Sequence, residues 1–425
     1  MTPAFQRASP FSYLPFNAGH KALFPCLFFL FLFSFPIVQA TEPEDILVES
    51  FRDTIHQYEN TSPRDPFTSR ISTIQKDLST LPKLSEKQFL SILLRRLNIP
   101  VESQILVFST TSLQLSKISP RNPRAIYFSN DVYVGYIPGG MLEIIGIDPE
   151  LGAIPYLLPF PSTNQSKIEV IRSGKCMRCH ASPDIGGAPG LLLRSVVPGS
   201  GGGSLDSMDG FYNGHSMPYA KRFGGWFITN AKPFHSSWAN ALGVMKFGEI
   251  DKYPLSVNQS FDWSKFPTQN SDALAHIVLQ HQVGFVNRCA KVSYLWRENE
   301  KASTDYPPIF DILEQDLVNY ILFLDEPELP ESLSPHSPFA KAFMNTKFPL
   351  RKLDLDKRIF SLRCSFMIQS QAFSGLPKVF QNRLLHKLKS ILMTDSKTKD
   401  EKFAYLSLEE KRSIHQILET TLEAY

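Results

Sequence analysis

The chain has 425 residues, of which 43% are hydrophobic and 20% charged, and a formal net charge of +3. That composition excludes disorder as the default and supplies apolar mass for one large core or two smaller ones. The near-neutral balance gives no electrostatic case for nucleic acid.

The first forty residues differ in kind. Arg7, His20 and Lys21 are their only basic groups, they hold no acid, and Ala22 to Val38 (ALFPCLFFLFLFSFPIV) is apolar. The run ends in Val38-Gln39-Ala40, small residues at the positions signal peptidase reads. Residues 1–40 are therefore expected to be an export signal, with the mature chain beginning near Thr41 in the periplasm or outside the cell. The competing reading is an uncleaved anchor, the only membrane contact the sequence offers. A bilayer takes about 20 apolar residues, and this run is a little short and holds Pro25 and Pro36. Cys26 follows Leu-Phe-Pro, without the small residue of a lipobox.

Residues 41–100 read as a helical N-terminal segment. Glu44 to Glu49 and Leu84 to Leu97 are the better stretches, Pro43 suits a helix start, and Thr61-Ser-Pro-Arg-Asp-Pro is a break. From Gln104 to Phe160 the pattern turns to short β-branched and aromatic runs. They are Ile105 to Phe108, Ala125 to Phe128, Val132 to Tyr136, Met141 to Ile147 and Pro155 to Leu158. Residues 101–300 are expected to form an α+β domain with antiparallel sheet elements on both sides of the stretch GKCMRCH, Gly174 to His180.

Cys-x-x-Cys-His has a chemical reason for its spacing. Two cysteines three positions apart reach the two vinyl groups of one haem, and the next residue turns its imidazole to the iron. A thioredoxin-like dithiol would sit between a strand and a helix, whereas a loop, Ala181-Ser-Pro-Asp-Ile-Gly-Gly-Ala-Pro-Gly, follows here. A zinc site would need a second ligand pair, and no second Cys-x-x-Cys or Cys-x-x-His exists. The expected cofactor is one covalent haem c, held by Cys176 and Cys179, with His180 as proximal iron ligand.

Beyond the motif, Leu191 to Val197 and Trp226 to Thr229 read as strands joined by the flexible connector Pro198 to Ser204. Ser271 to Asn299 reads as a helix, with Leu274, Ile277, Val278, His281 and Phe285 on an apolar stripe and His276 off it, towards solvent. An inward imidazole needs a partner, and iron is one, so His281 is a candidate distal ligand. His215, in the loop before Trp226, is its rival, and Met217 is a weaker candidate. Cys289 and Cys364 are left either as a disulfide or as buried free thiols. Residues 301–425 read as a helical C-terminal subdomain, with amphipathic segments at Ile309 to Asp325, Pro377 to Leu392 and Leu408 to Leu418, and a solvated charged loop at Lys397 to Lys402.

Several separate stretches carry a family resemblance. Ser103 to Gln114, Pro120 to Phe128 and Asp131 to Tyr136 precede the motif. Gly187 to Gly190, His215 to Pro218, Gly224 to Thr229, Ser271-Asp272, Val278 to Gln282 and Cys364 to Phe373 follow it. Together they resemble a largely uncharacterised family of secreted, single-haem cytochrome c-like proteins of environmental bacteria, over about residues 100 to 373. The family's helical His-Gln is often followed by a second histidine five residues on; Val286 stands there, which leaves His281. The resemblance implies a haem protein of electron-transfer type.

The expected function is that of an exported c-type cytochrome passing electrons to a redox partner protein. The alternative is a peroxidase-like haem enzyme or a haem-based sensor with an open or displaceable distal position. A plain shuttle needs only about 100 residues, the size of a small domain. The surplus implies a docking surface or a substrate pocket. The order of elements, helix, strands, haem motif, strands, helices, is not that of the small all-helical cytochrome c fold.

Overall fold

The computed structural model of the protein describes residues 41–79, 84–160, 169–208, 214–300, 306–394, 401–423 and 425. The expected export signal and most of the charged loop at Lys397 to Lys402 lie outside the described residues.

Two helices come first, α1 (Thr68–Ser79) and α2 (Glu86–Arg96). Ser85 and Gln88 cap α2 reciprocally: the Ser85 hydroxyl accepts the Gln88 N–H, and the Gln88 side chain accepts the Ser85 N–H at 2.9 Å. The expected helix from Glu44 to Glu49 shrinks to one 3-10 turn, Pro43–Asp45. The rest of that stretch runs in turns and is held by tertiary contacts, among them the Tyr58 hydroxyl donating to the Ala153 carbonyl at 2.9 Å. Six strands follow: β1 (Ile105–Val107), β2 (Arg124–Phe128), β3 (Val132–Tyr136), β4 (Leu142–Asp148), β5 (Gly152–Leu158) and β6 (Ile171–Arg172). The last four residues of the Cys-x-x-Cys-His motif form a short helix, α3 (Met177–His180), and after it come β7 (Val196–Pro198), β8 (Ser204–Ser207), β9 (Trp226–Phe227), β10 (Ala241–Lys246) and β11 (Glu249–Pro254).

Seven strands make one sheet in the order β6-β5-β4-β3-β2-β1-β9, and every neighbouring pair is antiparallel. The fold is α+β. Strand alternation divides the sheet into two unlike faces. Ala125, Tyr127, Val134, Tyr136, Leu142 and Ile144 are buried on the face that meets α2, where the Tyr136 hydroxyl donates to Glu86 at 3.3 Å. Arg124, Ile126, Gly135, Glu143, Ile145 and Pro155 share the other face by register, and Arg124, Ile126, Glu143 and Ile145 are only half-buried there. That face forms the floor of the site.

Its roof is the 28-residue helix α4 (Ala273–Glu300). The helix start is bolted to the sheet edge, because the Ser271 hydroxyl donates to the Phe227 carbonyl at 2.5 Å and accepts the Leu106 N–H at 2.9 Å. Asp272 caps the first turn by accepting the Leu274 N–H at 2.9 Å. Every residue from Ala273 to Asn287 is buried. The apolar stripe read from the sequence is present, but the opposite side is covered as well, and this is what a helix in the middle of a core looks like.

The C-terminal part comprises α5 (Ile309–Ile321), α6 (Pro338–Met344), α7 (Gln371–Ser374), α8 (Lys378–Met393) and α9 (Leu408–Thr421). The three long amphipathic segments read from the sequence coincide with α5, α8 and α9. Residues 41 to 425 pack as one unit. Cys289 and Cys364 are free thiols, 1% and 0% exposed, which is the second of the two expected outcomes. The strand expected over Leu191 to Val197 reduces to Val196–Pro198. The hairpin of β10 and β11 was not read from the sequence. Its two-residue turn is Phe247 and Gly248, both at positive φ (51° and 89°), so the Gly after Phe247 was its legible signal. Among the described residues no helix is long and apolar enough to cross a membrane.

Candidate functional site

The motif begins where β6 ends. Gly174–Cys176 forms a 3-10 turn that runs directly into α3, so Cys176, Cys179 and His180 stand three and four positions apart on one helical turn. Met177, on the opposite side, is buried, and its sulfur lies 3.3 Å from the Tyr58 hydroxyl. Cys176 is half-buried, Cys179 is exposed, and both are free thiols. Burial pushes the Cys176 thiol up, with the Glu143 charge adding to the rise and a bond to the Ser173 hydroxyl opposing it.

His180 is fixed through its Nδ1. That nitrogen donates to the Gly190 carbonyl at 3.0 Å, which leaves Nε2 as the free ring position. Burial lowers the His180 pKa, the Gly190 bond raises it, and the Arg124 and Glu143 charges act in opposite senses. The Gly190 carbonyl is itself held from α4. The Asn287 side chain accepts the Leu191 N–H at 2.7 Å and donates to the Leu191 carbonyl at 2.9 Å. A Cβ on Gly190 would stand 2.4 Å from Asn287 Oδ1, so only glycine allows the approach.

The three motif residues line a cavity of about 470 Å³. Its floor is the half-buried sheet face, its roof Leu279 and Val283 of α4, and its side wall Leu191, Leu192, Leu193 and Trp226. Cofactor sites typically span about 300–1,000 Å³ and are apolar, with a few placed polar groups. The placed groups here centre on Glu143. Its carboxylate accepts from Arg124 Nη1 at 2.8 Å, from Gln114 Nε2 at 2.9 Å and from the Ser112 hydroxyl. Burial pushes the Glu143 carboxyl up, but Arg124 and these hydrogen bonds outweigh it and hold the pKa below the ordinary value. Arg124 Nε and the Ser182 hydroxyl are buried in the wall without a partner.

His215, Met217 and His281 do not line this cavity. His215 Nδ1 and His281 Nδ1 are 2.9 Å apart, His281 Nε2 is 2.7 Å from the Ser365 hydroxyl, and His215 Nε2 is 3.3 Å from the Leu324 carbonyl. A carbonyl only accepts, so His215 carries its proton on Nε2 and accepts through Nδ1. His281 then donates from Nδ1 and accepts the Ser365 proton at Nε2. One pair of neutral tautomers satisfies all four ring nitrogens. Burial, with Arg288 nearby, lowers the His281 pKa to about 3, and burial and its neighbour push His215 well below the ordinary value. The partner that the inward His281 needs is thus supplied by protein. Met217 is buried, and its sulfur accepts from Gln280 Nε2 at 2.8 Å.

His276 corrects the sequence reading. It is fully buried rather than solvated, lies between the rings of Phe223 and Trp226 at 4.8 and 4.7 Å, and has no hydrogen-bond partner on either nitrogen. Burial, with the Arg222 charge nearby, lowers its pKa to about 3. Arg124, Glu143, Gly190 and Asn287 were missed as site residues. The readable signal for Arg124 and Glu143 was a charge within the apolar run of each strand, RAIYF and LEIIGI.

Among the described residues no three His, Cys, Asp or Glu side chains converge as they would for a bare metal ion. No family model, curated protein or solved structure matches the chain.

Proposed function

We propose that the chain is an exported c-type haem protein that carries electrons, with one haem bonded through Cys176 and Cys179 and with His180 as proximal ligand. When bound, the haem supplies an iron that takes up and returns one electron. The observation that carries the reading is the arrangement around His180. Two thiols and an imidazole open onto one cavity of about 470 Å³, and the imidazole is tied through Nδ1 to Gly190, so Nε2 remains for iron. Ligating histidines use their second ring nitrogen in this way. Ile126, Ile145, Leu279 and Val283 exclude water from the macrocycle. Lys175 and Arg178, exposed beside Cys179, border the edge where a redox partner protein docks, and their charge suits an acidic partner face.

A second reading, an open or displaceable distal position of peroxidase or sensor type, is favoured by one observation. Among the described residues that line the cavity, His180 is the sole histidine or methionine.

The test is expression as an exported protein alongside a cytochrome c maturation apparatus, followed by a pyridine haemochrome spectrum on denatured protein. One covalent haem per chain is expected, and its loss in the double variant Cys176→Ala/Cys179→Ala. A wild-type chain that leaves the apparatus without covalent haem would sink the proposal. Carbon monoxide added to the reduced protein then separates the two readings, since a closed iron leaves the spectrum unchanged.

A further inference from the structure

We infer that Arg124, steered by Glu143, is the protein's contact for a small exogenous ligand at the iron, one that presents an anionic or hydrogen-bond-accepting atom. The inference rests on the covalent-haem reading above and adds the class of molecule that the cavity takes in beside the haem.

The sheet register sets the arrangement. Gly135 on β3 pairs with Glu143 on β4 and with Ile126 on β2, two residues from Arg124. Arg124 and Glu143 therefore rise from strands on either side of β3, on the cavity face. A Cβ on Gly135 would come within 3.4 Å of Glu143 Oε2 and 3.6 Å of Arg124 Cδ. These are ordinary contact distances, and the two side chains lie across Gly135 on the cavity face.

The hydrogen bonding gives the pair a direction. Glu143 is saturated by Arg124, Gln114 and Ser112, so it acts as a fixed counter-charge. Arg124 spends Nη1 on that carboxylate, while its Nε is buried in the wall with nothing to donate to. The side chain nevertheless lines the cavity and is 15% exposed, so an acceptor on a bound ligand would give this under-used guanidinium a second partner. A haem propionate is the competing acceptor, and for it the cavity also offers Arg194, which lines the same wall and is partly exposed.

The probes are cyanide for the oxidised haem protein and carbon monoxide for the reduced one. Loss of a charge-assisted hydrogen bond in Arg124→Leu is expected to weaken cyanide binding about 10- to 100-fold and to raise the bound C–O stretching frequency. Arg124→Lys keeps the charge and loses the Nε donor, so it should fall between. Glu143→Gln removes the counter-charge and should tighten cyanide binding. The inference is overturned if the wild-type haem is covalently attached but takes up neither probe, or if none of the three variants moves the cyanide affinity or the C–O stretch. A shift of redox potential alone would also overturn it, in favour of a propionate contact. Should Arg124→Leu not fold, Arg124→Lys and Glu143→Gln decide. A haemochrome spectrum without covalent haem would remove the underlying reading as well, and is distinguishable from every other result.

Discussion

Replacing Asn287 tests how the site is built without needing the haem. Asn287 and Leu191 are 8% and 3% exposed, and the side chain amide holds both polar groups of the Leu191 backbone. Asn287→Leu keeps the branched shape of the side chain but leaves a buried N–H and a buried C=O without partners. At about 1–3 kcal/mol for each orphaned group, the loss should total about 2–6 kcal/mol. Asn287→Ala adds a small cavity to the same polar loss. The assay is urea unfolding of the haem-free chain, read as a fall in midpoint at constant slope. In haem-loaded protein the loosened Gly190 carbonyl should also change the His180 to iron bond, visible in its vibrational frequency and in the redox potential. If Asn287→Leu unfolds within about 0.5 kcal/mol of the parent, the size of an ordinary surface substitution, the clamp is not what holds the 190–191 backbone.

Three further outcomes are expected. His281→Phe and His215→Phe should each cost about 2–4 kcal/mol, because either leaves the other ring and Ser365 or Leu324 unpaired, yet in haem-loaded protein the spin state should not change; loss of a low-spin spectrum in either would assign that histidine as the distal ligand. The His276 pKa is about 3 in the folded chain against the ordinary 6.5, so its contribution is complete above pH 6.5 and is lost as pH falls towards about 3. Across that window His276→Phe should reduce the fall in stability by about 1.4 kcal/mol per pH unit, and equal slopes in a pH series of unfolding curves would refute the assignment. Gly284→Ala should destabilise the chain by about 1–3 kcal/mol or more, since its Cβ would stand 2.2 Å from the Tyr320 hydroxyl, which donates to the His281 carbonyl; thermal melts of the two proteins measure this.

The parts of the fold that were readable in the sequence are those set by short-range pattern. The strands β1 to β5, the helices α2, α4, α5, α8 and α9, and the motif turn all follow local periodicity and spacing. What stayed hidden depends on partners far along the chain. His215 and His281 satisfy each other across 66 positions, and Asn287 reaches Leu191 across 96. The fate of His276 turned on whether the outer side of α4 was covered, and residues of the segment Phe223 to Trp226 decide that. Arg124 and Glu143 were visible as charges in largely apolar strands, but only the strand register brings them together across Gly135.

The walls of the cavity come from both sides of the attachment motif in the chain. Strands β2 to β5 precede Cys176, whereas Trp226, Leu279 and Val283 belong to segments made afterwards. If the chain is exported N-terminus first, it offers its two thiols and the preceding strands before the covering helix has crossed the membrane. On the proposed function, haem can be joined to Cys176 and Cys179 from an open side, and closure by α4 waits on long-range contacts that form late. Under that proposal, order of emergence would do what a hinged gate does elsewhere: it would admit a large prosthetic group before α4 roofs the cavity.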